Sequence, residues 1–343
     1  MNTVLNENKI PRVSVVIPAH NQEKYIAQCL DSLIHQTMGD FEAICVFDGS
    51  KDNTLKILKE YEKKDFRIKI AYTDLCKPGV ARNFGVRQTK GEFLLFLDGD
   101  DYLENNALEL LSNKIEKENV DVVAFDAIAF YEEVGIKYLI PFAKPYYEKF
   151  KTNPFSPKQA KDVLFDISGM PFKFYRTKFW KEKKIEYSKN QFVEDALPMF
   201  QAFIKAKTVS ALDVPVVNYR KHSNNSSAKK NFSKNLKDIF DVFYLCEKEL
   251  KKQENHEIYL KSFFNNRFES LSYWYKQTPC LNKSYFVLEM KKIVKFIKNN
   301  YDEKYYRDNY KFGYFEFITK FPPYVGDFLY KLKVFKIFLE AYK

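Results

Sequence analysis

The chain has 343 residues, 45% of them hydrophobic, which is enough for one large domain or two modest ones with their own cores. Residues 1–9 are polar and lack the apolar segment of a signal peptide, and no run approaches the roughly 18 apolar residues that a membrane-spanning helix needs. The five cysteines are scattered and contain no Cys-x-x-Cys pair. The sequence therefore predicts neither a disulfide framework nor a zinc knuckle, and it favours a reducing cytosol.

The net charge of +11 is concentrated in the last third of the chain. Residues 1–225 carry 33 Lys and Arg against 31 Asp and Glu, whereas residues 226–343 carry 23 against 14 and hold 29 of the 59 aromatic residues. Such a segment suits an anionic partner, for example a membrane surface, an acidic glycan or a nucleic acid. It is equally typical of a solvated charged face over an aromatic core, and the sequence leaves both interpretations open.

Apolar, β-branched runs alternate with helical patterns over the first 125 residues. Strands are predicted at residues 13–17, 41–47, 67–72, 93–97 and 120–125, and helices at residues 23–36, 53–64, 78–88 and 104–118. This alternation predicts βαβ units, and therefore an α/β fold with a central, mainly parallel sheet. Ligands of such sheets bind beyond the carboxyl ends of the strands, where the polar clusters at residues 18–21, 48–52 and 98–101 fall.

The pattern loosens over residues 131–161, which contain four prolines, and this stretch is expected to form a loop or a lid over the site. Regular structure is expected again at residues 171–180, 194–206 and 209–219. After Ser227 the chain continues in long, Lys-rich helical segments without a strand pattern. We therefore expect an α/β domain at residues 1–225 and a helical, basic, aromatic-rich C-terminal domain at residues 226–343.

Asp98-Gly99-Asp100-Asp101 directly follows a predicted strand. Three carboxylates in four positions repel one another, so the cluster is costly without a cation. Hard divalent ions take oxygen ligands and are often shared with substrate phosphates. Asp and Gly also favour turns and helix caps, so this segment alone leaves a metal site and a plain turn equally open.

Four segments occur in a fixed order along the chain: Val13-Ser14-Val15-Val16-Ile17-Pro18-Ala19-His20-Asn21, Val46-Phe47-Asp48-Gly49-Ser50-Lys51-Asp52-Asn53-Thr54, Gly79-Val80-Ala81-Arg82-Asn83-Phe84-Gly85 and Phe96-Leu97-Asp98-Gly99-Asp100-Asp101. Together they closely resemble the family-2 glycosyltransferases, whose catalytic domain has the GT-A fold. The resemblance covers roughly residues 11–225. It implies a nucleotide-sugar-binding GT-A fold followed by a helical C-terminal region.

The resemblance implies a role for each matching position. The nucleotide would be bound by Pro18, Ala19, Asn21, Asp48, Arg82 and Asp98. Among these, Asp48 would accept a hydrogen bond from the base, usually uracil in this family, and Asp98 would face the ribose. Asp100 would hold Mn²⁺ or Mg²⁺ against the diphosphate. Phe47 departs from the family, because many members have an Asp at that position.

A second acidic segment, Phe192-Val193-Glu194-Asp195-Ala196-Leu197-Pro198, resembles the Glu-Asp motif of the family, whose Asp is the general base. An inverting transfer needs one carboxylate near the acceptor hydroxyl and none bonded to the sugar. Asp195 fits that role, and Glu194 would orient it or bind the acceptor. Acidic residues also favour a helix start, and both interpretations can hold together.

Basic residues on either side of this motif complete the predicted site. The segment at residues 173–176 resembles the family's basic stretch before the Glu-Asp motif, and the segment at residues 219–226 resembles the one that closes the site. Lys173 and Arg220 would bind the acceptor or neutralise the leaving diphosphate, and His222 would add a metal ligand. A plain surface loop is the alternative for these residues.

The predicted activity is transfer of a single sugar, with inversion, from a nucleotide-sugar, in this family usually a UDP-sugar, to a glycan or lipid-linked acceptor in surface polysaccharide synthesis. The processive members carry Gln-x-x-Arg-Trp, and the nearest string here, at residues 265–268, does not match. A non-catalytic module on the same fold is the alternative, although it would lose acids that are present. A dehydrogenase is excluded, because no Gly-rich turn follows the first strand.

The expected location is the cytoplasm, at the inner face of the membrane if the C-terminal region binds anionic lipid, and no nucleic acid partner is expected. An apolar stripe suggests how such binding would occur: Phe328, Leu329, Leu332, Phe335, Leu339 and Tyr342, with lysines beside it. The simpler interpretation is that the stripe packs on neighbouring helices.

Overall fold

The computed structural model describes residues 10–74, 76–140, 154–161, 172–190, 192–222 and 236–321. These residues form two compact units. The first contains the described residues up to His222, apart from residue 161, and holds a sheet with its helices. The second contains those from Leu236 onward and is helical. The predicted α/β class with a helical C-terminal region is confirmed.

One sheet organises the first unit. Its strands are β1 (Val13–Ala19), β2 (Phe41–Phe47), β3 (Ile68–Tyr72), β4 (Phe93–Phe96), β5 (Tyr102–Leu103), β6 (Val122–Tyr131), β7 (Ile136–Ile140), β8 (Lys173–Arg176) and β9 (Val209–Lys221). Their order is β3-β2-β1-β4-β8-β6-β9-β5, and β7 pairs with β6. In the described part of the chain, β5, β7 and β8 run against the other strands. The carboxyl ends of the others therefore meet at one edge, as the mainly parallel prediction requires.

Within the described residues, six helices accompany this sheet: α1 (Ile26–Ile34), α2 (Thr54–Lys64), α3 (Pro78–Gln88), α4 (Ala107–Lys117), α5 (Thr177–Glu182) and α6 (Ala196–Lys205). Val15, Val16 and Ile17 of β1 are completely buried, as expected for a strand covered on both faces. Helix α3 begins with Pro78, whose fixed φ suits a first helical turn. Its Gly85 lies directly on β1, because a Cβ there would stand 2.5 Å from Val16 Cγ1.

The predicted loop at residues 131–161 begins with structure that the pattern did not indicate. Strand β6 continues to Tyr131, and the chain turns at Gly135, with φ +66°, into β7. Four of the five residues of β7 are exposed, so the strand lacks the alternation by which sequence reveals a half-buried strand. Residues 141–153, in the middle of the predicted lid, lie outside the described residues.

Strand β8 runs antiparallel to both of its neighbours, β4 and β6. The sequence predicts regular structure there but not its direction, because direction depends on the path of the preceding connection rather than on the strand's own residues. Because β8 runs antiparallel between β4 and β6, its first residue, Lys173, lies at the edge of the sheet where the parallel strands end.

From Leu236 to Phe321 the second unit contains α7 (Leu236–Lys251), α8 (Leu260–Gln277), α9 (Cys280–Asn300) and α10 (Tyr310–Ile318), with short 3₁₀ helices at His256–Tyr259 and Glu303–Tyr305. Its core is aromatic, with buried rings of Phe240, Phe243, Phe263, Phe264, Phe268, Phe286 and Phe315. The rings of Phe240 and Phe286 lie 4.8 Å apart in an edge-on arrangement, which aromatic pairs favour. For residues 236–321, the aromatic content therefore builds a core, the second of the two interpretations above.

Membrane contact was the other interpretation of the C-terminal region. No helix within the described ranges is long and apolar enough to cross a bilayer. The apolar stripe at residues 328–342 lies outside the described residues, so its packing stays a prediction.

Gly85→Ala is expected to destabilise the protein although Ala favours helices. The new methyl group would lie 2.5 Å from Val16 Cγ1 and 3.0 Å from Val46 Cγ2. Overpacking costs about 1–3 kcal/mol, against a helix preference for Ala over Gly of about 1 kcal/mol. Thermal unfolding should show a lower midpoint for Gly85→Ala than for Gln88→Ala, an exposed control on the same helix. Equal midpoints would contradict the close approach.

Candidate active site

The loops after β1 and β2 are tied together at the carboxyl edge of the sheet. Asn21 adopts a left-handed backbone with φ 53°, which Asn tolerates better than most residues. Its N–H donates to Ser50 Oγ at 2.8 Å, and its Oδ1 accepts the Lys51 N–H at 3.0 Å. The Gln22 N–H donates to Thr54 Oγ1 at 2.8 Å. The two loops therefore form one wall of the site.

Asp48 stands at the end of β2 and is buried. Burial raises the pKa of its carboxyl group, and the neighbouring His20 opposes that rise. His20 Nδ1 lies 2.9 Å from Asp48 Oδ1, and the imidazole is half-exposed. His20 therefore separates the Asp48 carboxylate from solvent.

The acidic turn at residues 98–101 follows β4 at the same edge. Carboxylate oxygens of Asp98, Asp100 and Asp101 lie within 4.8 Å of one another. The side chain of Asp98 is 45% exposed, that of Asp100 is 13% exposed, and Asp101 is 4% exposed as a residue. Burial, together with the charges of the other two, raises the pKa of Asp101 well above its usual range. The turn thus concentrates oxygen ligands of the kind that divalent cations bind.

Arg220 of β9 holds this turn in place. Its backbone N–H donates to Asp101 Oδ1 at 2.8 Å, and its Nε donates to the Asp100 carbonyl oxygen at 2.8 Å. Its guanidinium also contacts Glu132 Oε1 at 2.7 Å and Gln28 Oε1. The group also lies over two aromatic rings, those of Tyr25 at 4.6 Å and Phe130 at 4.7 Å. A guanidinium with this many partners is held in one position against the acidic turn.

His222 completes this side of the site. Its Nε2 lies 3.0 Å from Asp100 Oδ2, and both side chains are largely buried. The imidazole packs against the Tyr25 ring with a centroid distance of 4.8 Å. His222 is therefore paired with Asp100, and ligation of an ion by the two residues stays a prediction.

Arg82 of α3 joins the acidic turn to the second acidic segment. Its Nη2 lies 2.6 Å from Asp98 Oδ1, and its Nη1 lies 2.7 Å from Glu194 Oε1. Only 10% of the Arg82 side chain is exposed, and its guanidinium stands over the Tyr187 ring at 5.1 Å. The segments that carry Asp98 and Glu194 are almost 100 residues apart in the sequence, and both are thus paired with the Arg82 guanidinium.

The second acidic segment is electrostatically strained by burial. Burial raises the pKa of Glu194 to about 7 against the pull of Arg82. Burial also raises the pKa of Asp195, where Arg82 again opposes and Asp98 reinforces the rise. Lys173 is 1% exposed, and burial lowers its pKa to about 7 although Asp195 favours its charged form. Ionisable groups whose pKa values burial shifts toward neutral pH are typical of sites that transfer protons.

Close packing positions the segment that carries Glu194 and Asp195. Val193 has φ 51°, a strained conformation for a β-branched residue. Asp195 precedes α6, yet its side chain makes no capping hydrogen bond to that helix. Gly79 of α3 leaves room for the segment, because a Cβ there would lie 2.5 Å from the Ser188 carbonyl oxygen and 3.1 Å from Glu194 Cγ.

The structure brings the sequence-predicted residues together at one edge of the sheet. Gathered around the carboxyl edge are Pro18, Ala19, Asn21, Asp48, Arg82, Asp98, Asp100, Glu194, Asp195 and His222. Lys173 and Arg220, predicted to contact acceptor or diphosphate, lie at the same edge but are 1% and 3% exposed. The alternative of a plain surface loop is wrong for both, since each lies in a strand of the sheet.

Several residues that build the site carried no signal of their own in the sequence. Asp101 was part of the acidic motif, but only the fold shows that it is buried while Asp98 and Asp100 are partly exposed. Glu132, Gln28 and Tyr25 lie outside the motifs and meet at the Arg220 guanidinium. A single sequence offers no pattern by which such partners could be found.

Comparison with known proteins agrees with this geometry. Residues 14–180 match the family described as Glycosyl transferase family 2. The chain is 30% identical over 220 residues to the uncharacterized glycosyltransferase EpsJ of Bacillus subtilis, covering 63% of this chain and 62% of that protein. It is 28% identical over 271 residues to the poly(ribitol-phosphate) beta-N-acetylglucosaminyltransferase TarS of Staphylococcus aureus, covering 76% of this chain and 45% of TarS. The chain thus spans less than two thirds of the length of these relatives.

The fold is also found among solved structures. The crystal structure of S. aureus TarS 1–349 aligns with a TM-score of 0.72 and 22% identity, over 94% of this chain and 92% of that chain. The same fragment in complex with UDP-GlcNAc aligns with a TM-score of 0.73 and 21% identity. The fold and the acidic edge define a GT-A domain. Residues 14–180 belong to glycosyl transferase family 2.

Gly79→Ala tests whether α3 positions the acidic segment. The added methyl group would meet the Ser188 carbonyl oxygen and Glu194 Cγ, so the segment must shift. We expect a loss of transferase activity much larger than the loss of thermal stability. Gly85→Ala is the matched control, because it makes the same change on the same helix but against β1. If both variants keep activity in proportion to their stability, Gly79 has no positioning role.

Proposed function

We propose that this protein is an inverting glycosyltransferase that moves a single sugar from a UDP-sugar to a glycan or lipid-linked acceptor in surface polysaccharide synthesis. The observation that carries the proposal is the double ion pair of Arg82 with Asp98 and Glu194. It holds two segments at one edge of the sheet: the acidic turn at residues 98–101, which would bind the sugar donor, and the Glu194-Asp195 segment, which would supply the general base. A non-catalytic module has no need to bury the carboxylates of Glu194 and Asp195, whose pKa values burial raises.

The donor nucleotide would lie against the wall formed by the loops after β1 and β2. Pro18, Ala19 and Asn21 would contact it from one loop, and Asp48 from the other. His20 covers Asp48 and would move aside, or donate alongside it, when the base enters. A uracil base is favoured because TarS, which shares the fold, has been crystallised with UDP and with UDP-GlcNAc.

The acidic turn fits Mn²⁺ or Mg²⁺. Its carboxylate oxygens cluster within 4.8 Å, and Asp100 has His222 beside it as a further donor. Asp100 and His222 would hold the ion, while Asp98 would face the ribose. When bound, such an ion neutralises charge on a leaving diphosphate. Because His222 is a nitrogen donor, Mn²⁺ is the better match for the set than Mg²⁺, which prefers oxygen ligands.

Asp195 would act as the general base. Its carboxylate would take the proton of an acceptor hydroxyl while that oxygen attacks the anomeric carbon, and the bond from this carbon to the diphosphate oxygen would break on the opposite face. A single displacement inverts the anomeric configuration. The raised pKa of Asp195 brings its proton affinity closer to that of a working base near neutral pH. Glu194, held by Arg82, would orient Asp195 or bind the acceptor.

Lys173 and Arg220 would support this chemistry through other protein groups. Lys173 is buried near Asp195, and its charge favours the ionised carboxylate that a base needs. Arg220 fixes the acidic turn through Asp100 and Asp101. We therefore propose positioning roles for both residues in place of direct contact with acceptor or diphosphate.

The acceptor is proposed from the relatives. TarS and a Bacillus spizizenii relative, 33% identical over 204 residues, are named as poly(ribitol-phosphate) glycosyltransferases. A phosphate-containing surface polymer or its lipid-linked precursor is thus the acceptor class that we favour. Synthesis of such polymers in the cytoplasm, at the inner face of the membrane, agrees with the basic character of the C-terminal region.

Asp100→Asn should abolish metal-dependent transfer while the protein remains folded. The substitution keeps the shape of the side chain but removes the charge that a divalent ion requires. Activity should be measured with Mn²⁺ and with excess chelator, and folding by thermal unfolding. Asp40→Asn, at an aspartate before β2 and away from the carboxyl edge, is the control. Full wild-type activity in excess chelator would show that no ion is required.

Asp195→Asn should lower transfer by about 10²–10⁴-fold, the usual contribution of a general base, and leave UDP binding intact. Because the carboxylate must be ionised to accept a proton, wild-type activity should also fall as the pH drops through its raised pKa. Product configuration gives an independent check by NMR. An Asp195→Asn enzyme within a few-fold of wild type would move the base to Glu194, and a retained product would refute the single displacement.

A further inference from the structure

A cavity of about 400 Å³ lies beside the site, between α3 and α5, and none of the roles proposed above uses it. Its lining residues are Asn83, Val86, Arg87, Trp180, Lys181, Lys184, Ile185 and Glu186. Val86, Trp180 and Ile185 are buried and form an apolar floor. Arg87, Lys181, Lys184 and Glu186 are exposed and form a polar rim. The rim therefore brings three cationic groups together with a single carboxylate.

The rim cations are available to a ligand. In the described part of the chain, neither Arg87 nor Lys184 forms an ion pair, and Arg87 rests over the Phe84 ring at 5.3 Å. Lys181 Nζ donates to the Thr89 carbonyl oxygen at 2.8 Å and keeps further protons to donate. Lys184 adopts a left-handed backbone with φ 50°, which directs the chain sharply at the mouth of the cavity.

Contacts link the cavity to the catalytic edge. Asn83 accepts the Tyr187 N–H and donates to the Tyr187 carbonyl oxygen, each at 2.9 Å, and the Tyr187 ring lies under Arg82 at 5.1 Å. The Trp180 ring in the floor lies 6.0 Å from Tyr187 and 5.0 Å from Phe96, the last residue of β4. An occupant would therefore lie behind the two segments that carry Asp98 and Glu194, outside the nucleotide site.

We propose that this cavity binds a phosphate group of a ligand that carries a sugar or polyol. An apolar and aromatic floor suits the carbon face of such a unit, and the cationic rim suits the phosphate. The source that we favour is a distal unit of the acceptor polymer, and this part rests on the proposed function. A free phosphate ion is the other source of the same chemistry.

Binding to this cavity can be followed through Trp180. The chain has two tryptophans, so Trp274→Phe leaves Trp180 as the only one and makes its fluorescence a reporter on the floor. The full-length Trp274→Phe protein should be titrated with a ribitol-phosphate oligomer and with inorganic phosphate, at saturating UDP and Mn²⁺. We expect a saturable change that weakens with added salt, because the rim is charged. Tighter binding of the oligomer identifies the acceptor as the source, and equal binding per phosphate identifies the free ion.

Variants of the rim decide whether the signal comes from this cavity. The combination of Arg87→Gln and Lys184→Asn should weaken binding by about tenfold or more, as expected for the loss of a charge-assisted hydrogen bond. Asn is chosen at residue 184 because it tolerates a left-handed backbone. Glu186→Gln should strengthen binding, a result that partial unfolding cannot imitate. Lys178→Gln, on α5 but outside the lining, is the matched control and should bind as the parent does.

The proposal is overturned if neither probe changes Trp180 fluorescence, or if the rim variants and the Lys178→Gln control bind alike. These outcomes are independent of turnover. If the protein transfers sugar but the cavity binds neither probe, the proposed function stands and the cavity assignment fails. If the cavity binds phosphate in a protein that transfers no sugar, the cavity assignment stands and the proposed function fails.

Discussion

The mutual repulsion of carboxylates at one edge of the sheet is the constraint around which this structure is organised. Asp98, Asp100 and Asp101 bring their oxygens within 4.8 Å of one another, and each is stabilised differently. Asp98 pairs with Arg82, Asp100 lies against His222, and Asp101 accepts the Arg220 N–H. Because Asp101 is buried, its raised pKa also favours a neutral carboxyl group. The fold thus assembles a strongly acidic site by providing a separate partner for each acid.

Two arginines hold these acidic groups, and they differ in what they contact. Arg220 is enclosed by Glu132, Gln28 and two aromatic rings, so it serves as a fixed support under the acidic turn. Arg82 bridges the turn and the Glu194 side chain, and it lies between the elements that would meet donor and acceptor. A cation in that position couples the two carboxylates, because a change in the charge of one alters the pKa of the other.

Much of the architecture follows from local sequence patterns. The runs at residues 13–17 and 41–47 are continuous and β-branched, and they form fully buried strands because helices cover both faces. The fold class was therefore readable from these patterns, and the four ordered motifs carried the family resemblance. Helix ends were less readable: α1 begins at Ile26 where a start at residue 23 was predicted, because residues 22–25 form a turn that ties the loops together.

The sequence by itself determined the α/β alternation, the acidic turn at a strand end and the acidic segment at a helix start, since these depend on residue type and spacing. Only the tertiary structure decided that β8 runs antiparallel, that Lys173 and Arg220 are buried, and that Arg82 joins Asp98 to Glu194. These features arise from contacts between segments separated by about 100 residues. Such contacts depend on how the connections bring strands together in space, and no local pattern encodes that path.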